Sequence, residues 1–312
     1  RCYLSLLPYT DSHDIYLLGA GGARVVHFLM ASEWFGALIV SGLLSWPLLW
    51  WAGAWVVVLY ALRRGLDKSR LVTLIPLLVA SVMAFGFGDS AMLLVLVITV
   101  VLAAVLHRTL SWLAVLMVGL GISLALVFLV GALYEETLKG LVAAIKEVVA
   151  APAQLSALGV DGPTVDAWMA SLSVGALSFV HMVSAMFALT FARALQAQAF
   201  NPGGFKTEFE AVILPPVFAV GCLVLAATGF LIDPWMLRFS PVGALPLMFA
   251  GIALVHGLTG MRESRGLIIM FYTALVFFTP YLLLLLALLA VIDAFVDFRT
   301  RAQKEPPEDE DE

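Results

Sequence analysis

The sequence predicts an all-α protein, a polytopic transmembrane helical bundle with eight to ten membrane segments and one amphipathic helix at the membrane interface. Hydrophobic residues make up 62% of the 312 residues and charged residues only 12%, about half the share of a soluble domain. The apolar residues lie in long blocks separated by short polar stretches, which is typical of membrane helices. With so little polar surface, the chain is expected to have the lipid bilayer as its solvent.

Acidic charge is concentrated at the C-terminus. The formal net charge is −5, but the last eight residues, EPPEDEDE (Glu305 to Glu312), carry six acidic groups, and the rest of the chain is nearly neutral. Acidic runs of this kind are usually solvated, so we expect 302–312 to be a disordered tail. The basic residues are scattered and do not alternate with aromatic residues on a polar surface, so no nucleic-acid binding is predicted.

Residues 1–29 differ in character from the rest of the chain. The string LLPYTDSH within residues 1–14 resembles the C-terminal tail of the eighteenth protein of the bacterial small ribosomal subunit. Residues 15–29 are similar to translated spacer, and Met30 opens a stretch that runs directly into the first apolar block. We therefore expect 1–29 to be a read-through leader outside the fold and 30–301 to be the transmembrane domain. A genuine N-terminal extension is the alternative.

The first half of the membrane domain contains four apolar blocks, at 34–62, 71–87, 90–106 and 110–133. The first of them is about 29 residues long, more than the roughly 20 that span a bilayer as a helix. Trp46-Pro47 lies near its middle, and proline removes a backbone donor and disfavours helix in the residue before it. This block is either one long kinked helix or a hairpin of two short helices.

The second half contains four more apolar blocks, at 168–195, 211–231, 241–260 and 266–298. The last block would be about 50 Å long as a single helix, which is too long for one straight span. Thr279-Pro280 lies near its middle. We therefore expect a hairpin there, with its two ends on the same side of the membrane.

Residues 135–150, between the two halves, form an amphipathic segment with charged residues opposite an apolar face. The apolar positions recur at helical spacing; they are Leu138, Leu141, Val142, Ile145, Val148 and Val149. One interpretation is a helix that lies in the membrane interface. The other is an exposed loop helix that packs on its own protein.

The positions of Lys and Arg predict the orientation in a bacterial inner membrane. If the loop at 63–70 is cytoplasmic, alternation places 107–108, 193–210 and 261–265 on the same side, and these segments carry Arg108, Arg193, Lys206, Arg262 and Arg265. The opposite side receives only three: Lys139, Lys146 and Arg238. We therefore predict that both termini are cytoplasmic.

Ser178 and His181 are the candidate substrate-binding residues. Polar and ionisable groups inside a membrane segment are costly, so each one is a candidate functional position. Ser171, Ser178, His181 and Ser184 recur on one face of the block at 168–195. The functional interpretation is a pathway for a substrate or ion. The alternative is ordinary hydrogen bonding between helices, which Ser and His commonly provide.

Few other ionisable residues fall inside the apolar blocks. His256 lies near the end of its block, where an interfacial position is expected. Asp293 and Asp297 are four residues apart and share one helical face. They are predicted to approach the cytoplasmic surface and to pair with Arg299 or Arg301.

The candidate partner-docking residues are Asn201, Pro202, Gly203, Gly204 and Phe205. Asn-Pro-Gly-Gly is dense turn chemistry, because proline fixes φ and glycine permits positive φ. A tight cytoplasmic loop between membrane helices is suited to docking a partner protein. The alternative is a turn with only a structural role.

The sequence contains no common catalytic motif. A phosphate-binding loop of the Walker type, HExxH, GxSxG and CxxC are all absent. The two cysteines, Cys2 and Cys222, give no metal or disulfide pattern. We therefore expect a protein that is not an enzyme and that has no catalytic residues, metal site or cofactor.

Four motifs carry a resemblance to a known family: Arg63-Arg64-Gly65, NPGGFKTEF (Asn201 to Phe209), ALVHGL (Ala253 to Leu258) and Asp297-Phe298-Arg299. With them, residues 30–301 resemble the YybS-like family of bacterial membrane proteins. That family is distantly similar to the substrate-binding membrane subunits of energy-coupling-factor transporters. The resemblance implies an all-helical fold that captures a small, often vitamin-like ligand and depends on a separate ATPase module.

The sequence is compatible with two functions. A small-molecule-binding transport subunit needs a polar pocket among the helices and a separate energising partner, because the chain has no nucleotide motif. A non-transporting membrane scaffold or assembly factor needs only a surface that binds a partner. The scarcity of polar residues is explained more easily by the second function.

Overall fold

The computed structural model describes residues 19–44, 50–148, 162–261 and 265–304. Every described element is a helix and these ranges contain no strand, which confirms the all-α class. The α-helices are α1 (Gly19–Leu29), α2 (Glu33–Leu44), α3 (Trp50–Arg64), α4 (Arg70–Phe87), α5 (Ala91–Thr109), α6 (Trp112–Leu133), α7 (Glu135–Val148), α8 (Gly162–Phe200), α9 (Gly204–Glu210), α10 (Pro216–Leu231), α11 (Ser240–Met261), α12 (Arg265–Phe277), α13 (Thr279–Val296) and α14 (Phe298–Lys304). Two 3₁₀ helices, Leu66–Lys68 and Pro234–Phe239, join neighbouring elements.

Six helices in the described ranges are long and apolar enough to cross a membrane. They are Arg70–Phe87, Ala91–Thr109, Trp112–Leu133, Gly162–Phe200, Pro234–Met261 and Thr279–Val296. Large apolar side chains such as Phe85, Phe87 and Tyr281 are exposed, which lipid tolerates and water does not. Together these features indicate a membrane-embedded protein. The finer count of eight to ten segments stays a prediction.

Helices α2 and α3 form an antiparallel pair. The Tyr60 hydroxyl, near the end of α3, shares its proton between the carbonyl oxygens of Leu29 (2.7 Å) and Ser32 (2.8 Å), just before α2 begins. Gly36 of α2 lies against the same ring, where a Cβ would come within 2.7 Å of the hydroxyl oxygen. The start of α2 therefore lies beside the end of α3, as in the hairpin alternative for 34–62. Residues 45–49, which join them, lie outside the described ranges.

Two contacts define the ends of the bundle. His107 Nδ1, in the last turn of α5, donates to the Leu62 carbonyl oxygen (3.0 Å), so α3 and α5 end together and α4 and α6 begin there. At the other end, the Ser90 hydroxyl donates to the Tyr134 hydroxyl (2.8 Å), so α4 and α6 also end together. We call the first end the basic end, because it carries Arg63, Arg64, Lys68 and Arg108. The second is the opposite end.

Helix α8 is the central element, and it packs against α1, α3, α5, α6 and α11. Its 39 residues extend about 58 Å, nearly twice the thickness of a bilayer core. Near its start, Asp166 forms an ion pair with Lys146 of α7. At its end, the Arg63 guanidinium lies 4.3 Å from the centre of the Phe200 ring. The helix therefore connects the opposite end to the basic end.

The block predicted as a hairpin at 266–298 is divided at Phe278 into α12 and α13. Helix α12 begins at Arg265, five residues after Gly260, which lies against Glu210 of α9 at the basic end. Helix α13 returns to that end, because Asp293 in its last turn pairs with Arg299, whose side chain contacts Gly257. The start of α12 and the end of α13 therefore lie at the same end of the bundle, as the hairpin requires.

Helix α7 combines features of both interpretations of 135–150. Leu138 is buried against α6 and α8, so one turn packs on the protein itself. Leu141 on the same apolar face is 43% exposed and is free to contact lipid headgroups and chains. Glu135 and Glu136 are exposed and both pair with Lys139.

The segment that we expected to lie outside the fold contacts it over residues 19–29. These residues form α1, and its Val26 side chain is completely buried. The His27 ring meets the Phe200 ring edge to face, with 5.2 Å between their centres. In this structure the fold therefore extends N-terminal to residue 30, because the apolar side of α1 packs on α8. The origin of residues 1–29 as a read-through leader stays a prediction, and 1–18 lie outside the described ranges.

Several helices approach each other closely at glycine, which is typical of membrane bundles. A Cβ at Gly251 of α11 would lie 2.4 Å from the Leu286 carbonyl oxygen of α13, closer than any real contact. We expect Gly251→Ala to force α11 and α13 apart and to lower stability by about 1–3 kcal/mol. The apparent melting temperature of the detergent-solubilised protein measures this effect.

Gly121 of α6 provides the matched control for that substitution. It is also a helical glycine, but nothing lies within 4 Å of a Cβ built there. Alanine has the higher helix propensity, so Gly121→Ala is expected to leave the melting temperature unchanged or to raise it slightly. Equal melting temperatures for the two variants would contradict a tight contact between α11 and α13.

Candidate functional site

The polar stripe predicted on α8 lies in the interior for most of its length. Ser171, Ser178 and His181 are buried, whereas Ser184 is partly exposed. The Ser178 hydroxyl, which has no solvent exposure, donates to the Val174 carbonyl oxygen one turn earlier (2.8 Å). Serine in a helix commonly satisfies its hydroxyl in this way. Ser178 therefore needs no partner outside α8.

His181 differs from the serines because one of its two ring nitrogens is unpaired. Its side chain is only 4% exposed. The Nδ1 atom lies 2.7 Å from the Leu177 carbonyl oxygen, and since a carbonyl oxygen only accepts, Nδ1 carries the proton and donates. The Nε2 atom is buried and has no hydrogen-bond partner. In the neutral ring this nitrogen is an unused acceptor.

The depth of His181 follows from the packing of α8 against α6. A Cβ at Gly119 would lie 3.8 Å from the Met182 sulfur, and a Cβ at Gly131 would lie 3.9 Å from Val174. The two helices therefore run in opposite directions, and His181 lies between the two contacts. This position is well inside the apolar span of α6.

One polar residue of α6 contacts His181, and a second is buried on the same helix. The Tyr134 ring, at the end of α6, lies 5.8 Å from the His181 ring between centres, at an interplanar angle of 48°. Ser123 of α6 is fully buried, and its hydroxyl has no partner. We call Ser123, Tyr134, Ser178 and His181 the His181 site. Buried polar groups are usually hydrogen-bonded, so the unpaired atoms of Ser123 on α6 and His181 on α8 are both available to a further partner.

The His181 site combines an acceptor with a donor. Burial raises the pKa of the Tyr134 phenol above its usual value, so this group is protonated at neutral pH. Because its oxygen already accepts from Ser90, the phenol proton is the donor that Tyr134 has to offer. His181 Nε2 offers the acceptor. This combination fits a neutral polar group, such as a hydroxyl or an amide, on a small molecule.

The NPGGF loop forms a tight turn at the basic end. The Gly204 amide donates to the Asn201 carbonyl oxygen (3.0 Å), and Gly203 has φ +83°, a conformation that favours glycine. Asn201, Pro202 and Gly203 are exposed, so the tip of the turn is open to a partner. The geometry is equally that of a well-formed turn, and the docking role stays a prediction.

The last residue of the motif, Phe205, anchors the turn instead of extending it. Its ring stacks on Phe209 at 5.4 Å and meets the Trp112 ring edge to face at 6.3 Å. Helix α9 is further fixed by Glu208, whose carboxylate accepts from Arg193 Nε (2.9 Å) and from a second nitrogen of the same guanidinium. The loop is therefore held rigidly against α6 and α8.

An ion pair lies between α13 and α14 at the basic end. Asp293 and Arg299 are both buried, with 2.8 Å between Oδ2 and a guanidinium nitrogen. Asp293 Oδ1 also accepts from the Phe298 amide (3.0 Å), and Arg299 donates to the Val212 carbonyl oxygen (3.2 Å). Of the two predicted partners, Asp293 takes Arg299. Asp297 instead caps α14 by accepting from Thr300.

His256 is partly buried near the basic end of α11, among aromatic side chains. Its Nδ1 donates to the Ile252 carbonyl oxygen (2.9 Å), and its Nε2 lies 3.2 Å from the Tyr272 hydroxyl. Both ring nitrogens therefore have partners, in contrast to His181.

The sequence reasoning did not include Tyr134 and Ser123 in the site. Tyr134 is 47 residues from His181 in the chain, and no local pattern links them. Ser123 lies in the apolar block 110–133, where a single serine does not by itself indicate a site. The packing of α6 on α8 brings the Tyr134 ring to His181, and Ser123 is buried on the same facing helix.

Comparisons with other proteins add no assignment. No family model matches the chain, and the comparisons with curated proteins and with solved structures also give no match. The described ranges contain no group of three or more His, Cys, Asp or Glu that could hold a metal ion. The resemblance to the YybS-like family therefore stays a prediction.

Proposed function

We propose that this chain is a multi-pass protein of a bacterial inner membrane that binds a small molecule at the His181 site and serves as a subunit of a transport system. The observation that carries the proposal is the buried, unpaired Nε2 of His181. Leaving such an acceptor unsatisfied costs about 1–3 kcal/mol, a cost that a ligand with a hydrogen-bond donor removes. The adjacent Tyr134 hydroxyl adds a second point of recognition on the same ligand.

The basic end faces the cytoplasm in this proposal. It carries Arg63, Arg64, Lys68, Arg108, Arg193 and Lys206, whereas the opposite end has Lys139, Lys146 and Arg238. An excess of Lys and Arg is typical of the cytoplasmic side. The end of α1, the start of α2 and the end of α14 then lie on the cytoplasmic side. Of the residues in the His181 site, Tyr134 bonds to Ser90 at the opposite end, which is the external side in this proposal.

Energy for transport would come from a separate partner. The sequence contains no nucleotide-binding motif, so an ATPase or energy-coupling module is the expected partner, with the exposed Asn201-Pro202-Gly203 tip as its docking point. The resemblance to the YybS-like family, and through it to energy-coupling-factor transporters, supports this arrangement.

The alternative is a non-transporting scaffold or assembly factor. It is favoured by Ser178, whose hydroxyl is satisfied within its own helix and needs no ligand. A scaffold would use the exposed turn at the basic end and would bind no small molecule in its interior.

Purification from native membranes in mild detergent, followed by native mass spectrometry, tests the proposal. We expect a small polar molecule that remains bound to the folded chain and dissociates on unfolding, together with an ATPase module in the same preparation. A preparation that holds only an assembly partner, with the interior empty, would favour the scaffold.

Thiol labelling tests the orientation separately. With Cys2 and Cys222 replaced by serine, we expect an impermeant maleimide to label Lys139→Cys from outside the inner membrane. Lys206→Cys should react only after the membrane is opened, because it lies at the basic end. Both side chains are exposed, so both variants should react fully in detergent, which controls for access. Labelling of Lys206→Cys alone from outside would reverse the proposed orientation.

A further inference from the structure

We propose that a pocket at the basic end binds the phosphate group of an anionic ligand, independently of the His181 site. The pocket has a volume of about 500 Å³ and is open to the surroundings. Its lining comes from α1, from the end of α3 with the turn that follows it, and from the end of α8: His27, Met30, Arg63, Arg64, Lys68 and Phe200. Volumes of this size are typical of small-ligand sites.

Three cations converge on the pocket, and two of them are not neutralised within the described part of the chain. Arg64 is partly engaged, since it lies 3.4 Å from the Met30 carbonyl oxygen and 3.9 Å from Glu33. Arg63 has no carboxylate partner there, and neither does Lys68. The pocket therefore has an excess of positive charge that an anion would neutralise.

Arg63 is held at the pocket by a cation–π contact. The central carbon of its guanidinium lies over the Phe200 ring, 4.3 Å from the ring centre. A cation–π contact uses the charge of the guanidinium and needs no carboxylate, so the N–H groups stay available to a ligand. Phosphate oxygens accept from such N–H groups in a bidentate manner, while a lysine ammonium adds a point charge. Arg63 and Lys68 together provide both.

The surroundings favour a phospholipid over a soluble phosphate. The two helices that flank Met30 of the pocket carry exposed apolar side chains, which are Val25 and Phe28 on α1 and Trp34 and Leu38 on α2. They provide a surface for acyl chains beside a cationic pocket that would hold the headgroup. Basic pockets between membrane helices bind anionic lipid headgroups in this manner.

The ends of α3 and α8 also meet at the pocket, and cations at helix C-termini are stabilising without any ligand. If Arg63 and Lys68 only stabilise the helix ends, added lipid should not bind to the pocket. If they form a phosphate site, added anionic lipid should bind and should depend on both residues.

The experiment uses the full chain in a neutral detergent and native mass spectrometry. Phosphatidylglycerol and phosphatidylethanolamine with identical acyl chains are added separately, and we expect retained phosphatidylglycerol to exceed phosphatidylethanolamine. The double variant Arg63→Gln/Lys68→Gln is expected to reduce phosphatidylglycerol retention about tenfold or more, since each cation near an anionic lipid contributes substantially.

Two control variants accompany it. Arg108→Gln removes one exposed cation from the same end but outside the pocket, and it should retain phosphatidylglycerol at the original level. Arg63→Lys/Lys68→Arg keeps both charges and should retain most of the binding, which excludes a folding defect as the cause of loss. Equal retention of the two lipids, or an unchanged double variant, would overturn the proposal.

Glycerol 3-phosphate at millimolar concentration identifies the source of the phosphate. If it displaces the lipid and binds alone, with the same dependence on Arg63 and Lys68, the ligand class is a soluble phosphate ester. If only the intact lipid binds, the pocket recognises a phospholipid. Either result supports phosphate recognition by this pocket.

Discussion

Replacing His181 with alanine is expected to reduce the amount of co-purifying small molecule tenfold to a hundredfold while leaving the protein folded. The substitution removes the unpaired Nε2 acceptor, and one hydrogen bond in a buried site contributes about 1–3 kcal/mol to binding. The ring also packs beside Tyr134, so a small cavity forms and a modest fall in melting temperature should accompany the loss. Native mass spectrometry gives the occupancy, and thermal unfolding gives the stability.

Two variants define how that result is interpreted. Ser184→Ala removes a hydroxyl that donates to the Val180 carbonyl oxygen on the partly exposed side of α8, and it should leave the occupancy unchanged. His181→Gln places an amide oxygen near the same position and should restore part of the binding. If His181→Ala lowers only the melting temperature and the bound molecule stays, the ligand role of His181 is wrong and the scaffold is favoured.

Replacing Asp293 with leucine is expected to produce the largest loss of stability of any single change considered. The substitution leaves the Arg299 guanidinium buried without its carboxylate, and breaking a buried ion pair in this way costs about 3–5 kcal/mol. It also removes the acceptor of the Phe298 amide at the start of α14. We expect the apparent melting temperature in detergent to fall by about 10 °C.

The double variant Asp293→Leu/Arg299→Met separates the charge from the packing. Removal of both charges leaves no unpaired ion in the interior, so much of the lost stability should return. A cycle of the two single variants and the double variant measures the coupling between the side chains. Additive effects would show that the ion pair itself contributes little.

Most of the helices could be predicted from the sequence, because their signals are local. Hydropathy located the six long apolar helices, and proline indicated the antiparallel pairing of α2 with α3 and the break at Phe278, beside Thr279-Pro280. Asp293 and Arg299 are six residues apart, so their pairing was also within reach of a local argument. The loops at 63–70, 107–108 and 193–210, which alternation predicts to share one side, lie together at the basic end. Which side of the membrane this end faces stays a prediction.

The chemistry of the candidate site could be predicted only in part. Helical spacing placed Ser178 and His181 on one face, but it did not distinguish the satisfied hydroxyl of Ser178 from the unpaired nitrogen of His181. That distinction depends on side-chain direction and on α6, which brings Tyr134 and Ser123 from elsewhere in the chain. The contact of α1 with α8 was not predicted, because the composition of residues 1–29 suggested a segment foreign to the fold. The complete burial of Val26 can be seen only in the folded structure.

The length of α8 has a mechanical consequence. His181 is at the midpoint of this helix, and the NPGGF loop follows directly from its end at Phe200. A stiff rod of about 58 Å that tilts by about 5° around its midpoint displaces each end by about 2.5 Å, in opposite directions. A small change in tilt caused by a molecule at His181 would thus reach the NPGGF loop as a movement comparable to the length of a hydrogen bond, with no intermediate contacts needed to carry it.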